Sequence, residues 1–184
     1  MPNIESENIV LQDSSLLKEI QNGGYILYLR HAKPNNAGEK LSDLGEKQAK
    51  QLGGIFKELQ IPIQYKVLIS PTNRTKETGV IAFGEQNIEV RNSLEFIIYL
   101  KSDSSNSEQQ QIKEDLIETL ETVPTDKFNK VLIAHHYKFD ASYRKLPHMG
   151  MVVLKPNGPG KGFEFKGLIT LDQFIKWSNE NNPS

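Results

Sequence analysis

Tyr25-Ile26-Leu27-Tyr28-Leu29-Arg30-His31 is the stretch on which the reading of this chain turns. Its first five residues are apolar or aromatic without alternation, which suits one strand buried on both faces of a sheet. The run stops abruptly on an arginine and a histidine. Two further stretches repeat the design. Lys66-Val67-Leu68-Ile69 leads into Ser70-Pro71-Thr72-Asn73-Arg74, and Val131-Leu132-Ile133-Ala134 leads into His135-His136.

Helical patterns lie between these runs. Ser14 to Gln21 fits a short helix closed by Asn22-Gly23-Gly24. Ser42 is placed to cap a helix whose Ala49, Leu52, Phe56 and Leu59 share one face. Gly53-Gly54 within it suits close packing on a sheet, and Ile61-Pro62 stops it. Ser70 as cap and Pro71 as first residue open a helix that runs to Phe83. Asn87 to Arg91 predicts a short strand. After the polar tract Lys101 to Gln111, the residues Ile112, Leu116 and Leu120 line one helix face. Met149 to Leu154 and Gly162 to Phe165 read as strands joined by the Asn157-Gly158-Pro159-Gly160 turn, and Asp172 to Asn179 as a closing helix. The alternation predicts an α/β fold, a three-layer α/β/α sandwich around a mainly parallel sheet.

With 184 residues the chain suffices for one compact domain, read over 14–184 behind a loose leader of residues 1–13. There is no cysteine, so disulfides and thiolate chemistry are excluded. A formal net charge of −1 offers no general attraction to nucleic acid or an anionic membrane. No stretch approaches the ~20 apolar residues of a membrane span. The cytoplasm is the default compartment, and an exported form fits equally if a signal peptide has been removed. Four histidines, none paired at a helical metal spacing, do not call for a metal, and no cofactor is expected.

In parallel sheets ligands bind beyond the carboxyl ends of the strands. If the three buried strands are neighbours, Arg30, His31, Arg74 and His135 meet at one rim. Two guanidiniums and two imidazoles on a nearly neutral chain make a pocket for a dianion, and phosphate fits the forked donors of arginine. Arg74 at a helix start adds free backbone N–H groups. An unprotonated histidine is a nucleophile, and the two arginines are expected to lower its pKa. The second imidazole can donate to the charge on a transferring phosphoryl group.

These residues resemble the histidine phosphatase superfamily, also called phosphoglycerate-mutase-like. Leu29-Arg30-His31-Ala32 resembles its Arg-His-Gly motif. Leu41-Ser42-Asp43-Leu44-Gly45-Glu46-Lys47-Gln48-Ala49 is similar to its Leu-Thr-x-x-Gly-x-x-Gln-Ala segment. Ser70-Pro71-Thr72-Asn73-Arg74-Thr75-Lys76-Glu77-Thr78 is similar to its Ser-Pro-x-x-Arg-Ala-x-x-Thr segment, and Ile133-Ala134-His135 to the strand ending in its second histidine. Four motifs stand in the family's order over residues 24–140. The entry to the first strand and the compact tail look like small bacterial phosphatases.

The resemblance implies that His31 becomes phosphorylated and that Arg30, Arg74 and His135 complete the phosphate pocket. It also implies a carboxylic acid after the second motif, for which Glu95 is the candidate. His136 stands beside His135 as a further candidate for the phosphate. His148 is read as a loop residue near the pocket, and Lys33, Asn35 and Asn36, which follow His31, as a solvated loop with substrate contact as the alternative. The expected activity is metal-independent hydrolysis of phosphomonoesters on a small phosphorylated molecule or a phosphoprotein. The alternatives are a protein phosphohistidine phosphatase, which manages without the carboxylic acid, and a phosphate-binding regulatory module without turnover. A mutase is disfavoured by the short chain.

Overall fold

The structure, a computed structural model, describes residues 14–182, so the leader read over residues 1–13 lies outside it. The elements run α1 (Ser14–Asn22), β1 (Ile26–Arg30), α2 (Asp43–Glu58), β2 (Val67–Ile69) and α3 (Asn73–Phe83). They continue with β3 (Ile88–Val90), α4 (Ser107–Glu121), β4 (Lys130–Ala134), β5 (Met151–Pro156), β6 (Phe163–Ile169) and α5 (Leu171–Asn181). A 3₁₀ segment, Asn92–Lys101, interrupted at Phe96, precedes α4.

One sheet holds all six strands in the order β3-β2-β4-β1-β5-β6. Strands β3, β2, β4 and β1 run parallel, while β5 is antiparallel to both β1 and β6. The runs chosen for their lack of alternation are central, and Ile26 to Leu29 are completely buried.

Alternation along each strand divides the apolar residues between two cores. Leu27, Leu29, Ile69, Val131, Ile133 and Val153 face a layer formed by α1, α2, α3 and α5, filled by Leu52, Phe56, Phe83 and Phe174. Tyr28, Leu68, Leu132, Ala134 and Val152 face the opposite layer, where Leu94 and Ile97 of the 3₁₀ segment and Leu116 and Leu120 of α4 cover them. The architecture is therefore the three-layer α/β/α sandwich.

Two local expectations are corrected. Gly53 packs on α3 rather than on the sheet, because a Cβ there would collide with the backbone of Ala82, while Gly54 faces open space. The helix after β2 begins at Asn73, not at Pro71, with Thr72 in the cap position. The Thr75 hydroxyl donates to the carbonyls of Ser70 and Thr72 at 2.6 and 2.8 Å and closes that turn. The Ser70 hydroxyl is thereby left free to meet an imidazole.

Candidate active site

The register sets the three strand ends level. Arg30 pairs with Ala134, and Ile69 with Ile133. The His31 N–H donates to the Ala134 carbonyl, and the Ser70 N–H donates to the Ile133 carbonyl, both at 3.0 Å. Arg30, His31, Ser70 and His135 thus leave the sheet side by side, and α3 brings Arg74 over them.

The groups converge. The rings of His31 and His135 lie 5.6 Å apart between centroids. Arg74 Nη2 is 3.4 Å from His135 Nδ1, and Ser70 Oγ is 2.8 Å from His135 Nε2. Arg74 also donates from Nη1 to the Gly38 carbonyl at 2.7 Å, and Arg30 from Nη1 to the Leu146 carbonyl at 2.6 Å. The Nε atoms of both arginines are buried without a hydrogen-bond partner among the described residues. Buried donors are normally satisfied, so two orphans at one place mark a site suited to an acceptor-rich ligand.

His31 is 5% exposed, and its Nδ1 lies 2.8 Å from the Ala32 carbonyl. A carbonyl only accepts, so Nδ1 carries the proton and Nε2 keeps its lone pair. Burial chiefly, then the charge of Arg74 and the neighbouring imidazoles, push the His31 pKa down to about 3. The expectation named two arginines as the cause, but desolvation leads and Arg30 is not among the contributors. For His135, burial and then Arg74 and Arg30 lower the pKa to about 4. The guanidinium of Arg30 is itself lowered, by burial and then by repulsion from Arg74. Two cations held this close favour a dianion between them.

Residues of the second and third motifs hold the backbone that follows His31. The Lys33 N–H donates to Gln48 Oε1 at 3.0 Å, and the Lys33 carbonyl accepts from the N–H and hydroxyl of Ser42, each at 3.0 Å. Gly45 is required there because a side chain would strike that carbonyl. Thr78 Oγ1 accepts the Ala32 N–H at 3.1 Å and donates to the Arg74 carbonyl at 2.7 Å. One hydroxyl therefore ties the loop after His31 to the helix carrying Arg74.

The remaining candidates fall elsewhere. Glu95 sits exposed in the first turn of the 3₁₀ segment, without a hydrogen bond or ion pair to any of these groups. His136 is exposed at the rim, and its Nδ1 accepts the Leu146 N–H at 3.1 Å. His148, read only as a loop neighbour, is closer than either. Its ring is 5.3 Å from that of His31, and its Nδ1 is 3.3 Å from the His31 carbonyl. Nothing in its local sequence signals this. The placement follows from β4 and β5 flanking β1, which draws the connection between them across His31. Among the described residues no group of three or more His, Asp or Glu is arranged to hold a metal ion. Among the described residues no helix is long and apolar enough to cross a membrane.

No family model and no curated protein matches the chain. Solved structures do. The protein histidine phosphatase SixA complexed with tungstate superposes with a TM-score of 0.53 at 13% identity, covering 80% of this chain and 97% of that one. The mycobacterial glucosyl-3-phosphoglycerate phosphatase complexed with VO3 gives 0.51 at 14% identity, covering 79% and 97%. A phosphoserine phosphatase mutant from Entamoeba histolytica in complex with phosphoserine gives 0.50 at 11% identity, covering 81% and 98%. The six-stranded sheet with its helical layers is the fold of the histidine phosphatase superfamily, and this chain has that fold.

Proposed function

We propose that this protein is a metal-independent phosphatase that hydrolyses phosphate monoesters through a phosphohistidine on Nε2 of His31. One observation carries the reading. The Ala32 carbonyl holds the proton on Nδ1, so the lone pair of Nε2 is available in a ring that feels the Arg74 guanidinium and packs against a second imidazole. Arg30 and Arg74 bind and orient the phosphoryl oxygens and neutralise charge in transfer. The proteins of the same fold solved with tungstate, VO3 and phosphoserine support an oxyanion at this rim.

A second substrate class is favoured by a specific observation. Among the described residues no carboxylate is hydrogen-bonded to the pocket side chains or is among the charges shifting Arg30, His31 or His135. A phosphoramidate such as protein phosphohistidine has a leaving group that needs less help from an acid.

The test is rapid acid or alkali quench after mixing with a ³²P-labelled monoester or phosphohistidine. The expected result is an acid-labile, alkali-stable label on the protein, absent in His31→Ala. That variant should fold normally and lose turnover by about 10³-fold or more. Undiminished turnover in His31→Ala rejects the reading. Run on Glu95→Ala, the same assay separates the classes. Loss of alkyl-phosphate hydrolysis makes Glu95 the acid of a monoesterase, and unchanged phosphohistidine hydrolysis supports the phosphoramidate.

A further inference from the structure

We propose that His148 is the proton carrier of this site, giving a proton to the leaving group and later taking one from the attacking water. The inference rests on the phosphatase reading above and deepens it.

The pocket needs such a group and offers few. His31 is committed to attack. His135 is held at both nitrogens, by Ser70 and by Arg74. His136 spends Nδ1 on the Leu146 N–H and is exposed. The remaining imidazole is His148, half-buried and 5.3 Å from the His31 ring at an angle of 43°. Its Nδ1 faces the His31 carbonyl at 3.3 Å, which only accepts. Nδ1 therefore holds a proton permanently, and Nε2, which bonds to no described residue, is the atom that titrates. The bond is made to the backbone of the nucleophile itself, so the carrier and the attacking ring keep their relative position.

The proton balance closes. His31 Nε2 forms a bond to phosphorus as the bond to the leaving oxygen or nitrogen breaks. Protonated His148 gives its Nε2 proton to that atom and becomes neutral. Water then attacks phosphorus and loses a proton to His148 Nε2. The P–N bond breaks, its electron pair returns to His31, and inorganic phosphate leaves with His148 protonated again.

The charges facing His148 set its pH response. Arg30, Lys145 and Lys33 are all cationic, and with burial they lower its pKa, while the His31 carbonyl raises it. A bound phosphate dianion opposes that depression. The protonated form is thus used below the ordinary histidine pKa, and turnover of poor leaving groups should fall on the alkaline side.

The experiment compares wild type with His148→Gln, which keeps a donor for the His31 carbonyl but cannot titrate, and with His148→Ala. The probes are glycerol phosphate and p-nitrophenyl phosphate, followed by stopped flow and ³²P quench. Expected in both variants is a fall of ~10²-fold or more on glycerol phosphate. The first turnover of p-nitrophenyl phosphate should change only a few-fold, labelled protein should accumulate, and the alkaline limb should vanish. Wild-type rates on glycerol phosphate in His148→Gln overturn the proposal. So does an equal loss on both substrates without accumulation, which is the signature of a structural role. Absence of label on wild-type protein instead refutes the phosphatase reading itself.

Discussion

The hydroxyl of Ser70 either gives a proton to an imidazole or takes one, and it lies completely buried 2.8 Å from His135 Nε2. With Arg74 donating to Nδ1, the ring must hold its proton on Nε2 and pass it toward Ser70. On the function proposed above, phosphate is expected to draw Arg74 off Nδ1, and rotation of the hydroxyl then turns Nδ1–H toward the phosphoryl oxygens. Ser70→Ala removes this freedom. We expect kcat/KM to fall by about 10–100-fold with the fold retained, checked by steady-state kinetics beside a thermal melt. The positions of the four candidate residues were legible because each ends or directly follows a buried strand, or opens the next helix. His148 was legible only as a loop residue near the pocket, and its contact with His31 was not, since a residue in an irregular connection carries no periodicity. Glu95 was chosen by its place in a motif order, which does not say which side of a 3₁₀ turn reaches the pocket.

At the scale of elements, the contact between α2 and α3 carries the loops on both sides of the pocket. Gly53 lets the two backbones approach, and Gly54 one position along faces open space. The adjacent glycines therefore predict opposite outcomes. Gly53→Val should destabilise by roughly 1–3 kcal/mol through overpacking. Gly54→Ala should stabilise by about 0.5–1 kcal/mol through helix propensity alone. Urea unfolding of the two variants checks both signs. Among the described residues the α-helices and strands were read in their places from apolar spacing and caps, but α4 begins at Ser107, inside the polar tract read as a loop, and β6 runs on to Ile169, past the Phe165 read as its end. The 3₁₀ segment escaped because Leu94 and Ile97 are too few to declare a period, and their burial comes from α4 and β4. The start of α3 slipped by two residues because Thr75, not Ser70, closes its first turn.

For the whole molecule, burying neutral histidines ties stability to pH. His31 and His135 titrate near 3 and 4 in the folded chain, against an ordinary 6.5. As pH falls below 6.5, the unfolded chain takes up protons that the folded one refuses. Their contribution is therefore complete above pH 6.5 and is lost as pH falls toward those lower values. Melting temperatures between pH 7 and 4.5 should decline, and less steeply in a His31→Asn/His135→Asn double variant. An equal slope assigns the effect to other groups. The connection from β4 to β5 bears on a different property. Residues 135–150 cross the mouth from one neighbour of β1 to the other, tethered through Leu146, His148 and Met149. The candidate groups hang from the sheet, whereas this connection is anchored separately, by Tyr137, Tyr143 and Leu146 in the second core. Exchanging the exposed Lys138, Ala141 and Arg144 while the buried Tyr137 and Tyr143 stay in place should retune which molecules approach and leave untouched the groups beneath, a natural route by which one scaffold acquires new clients.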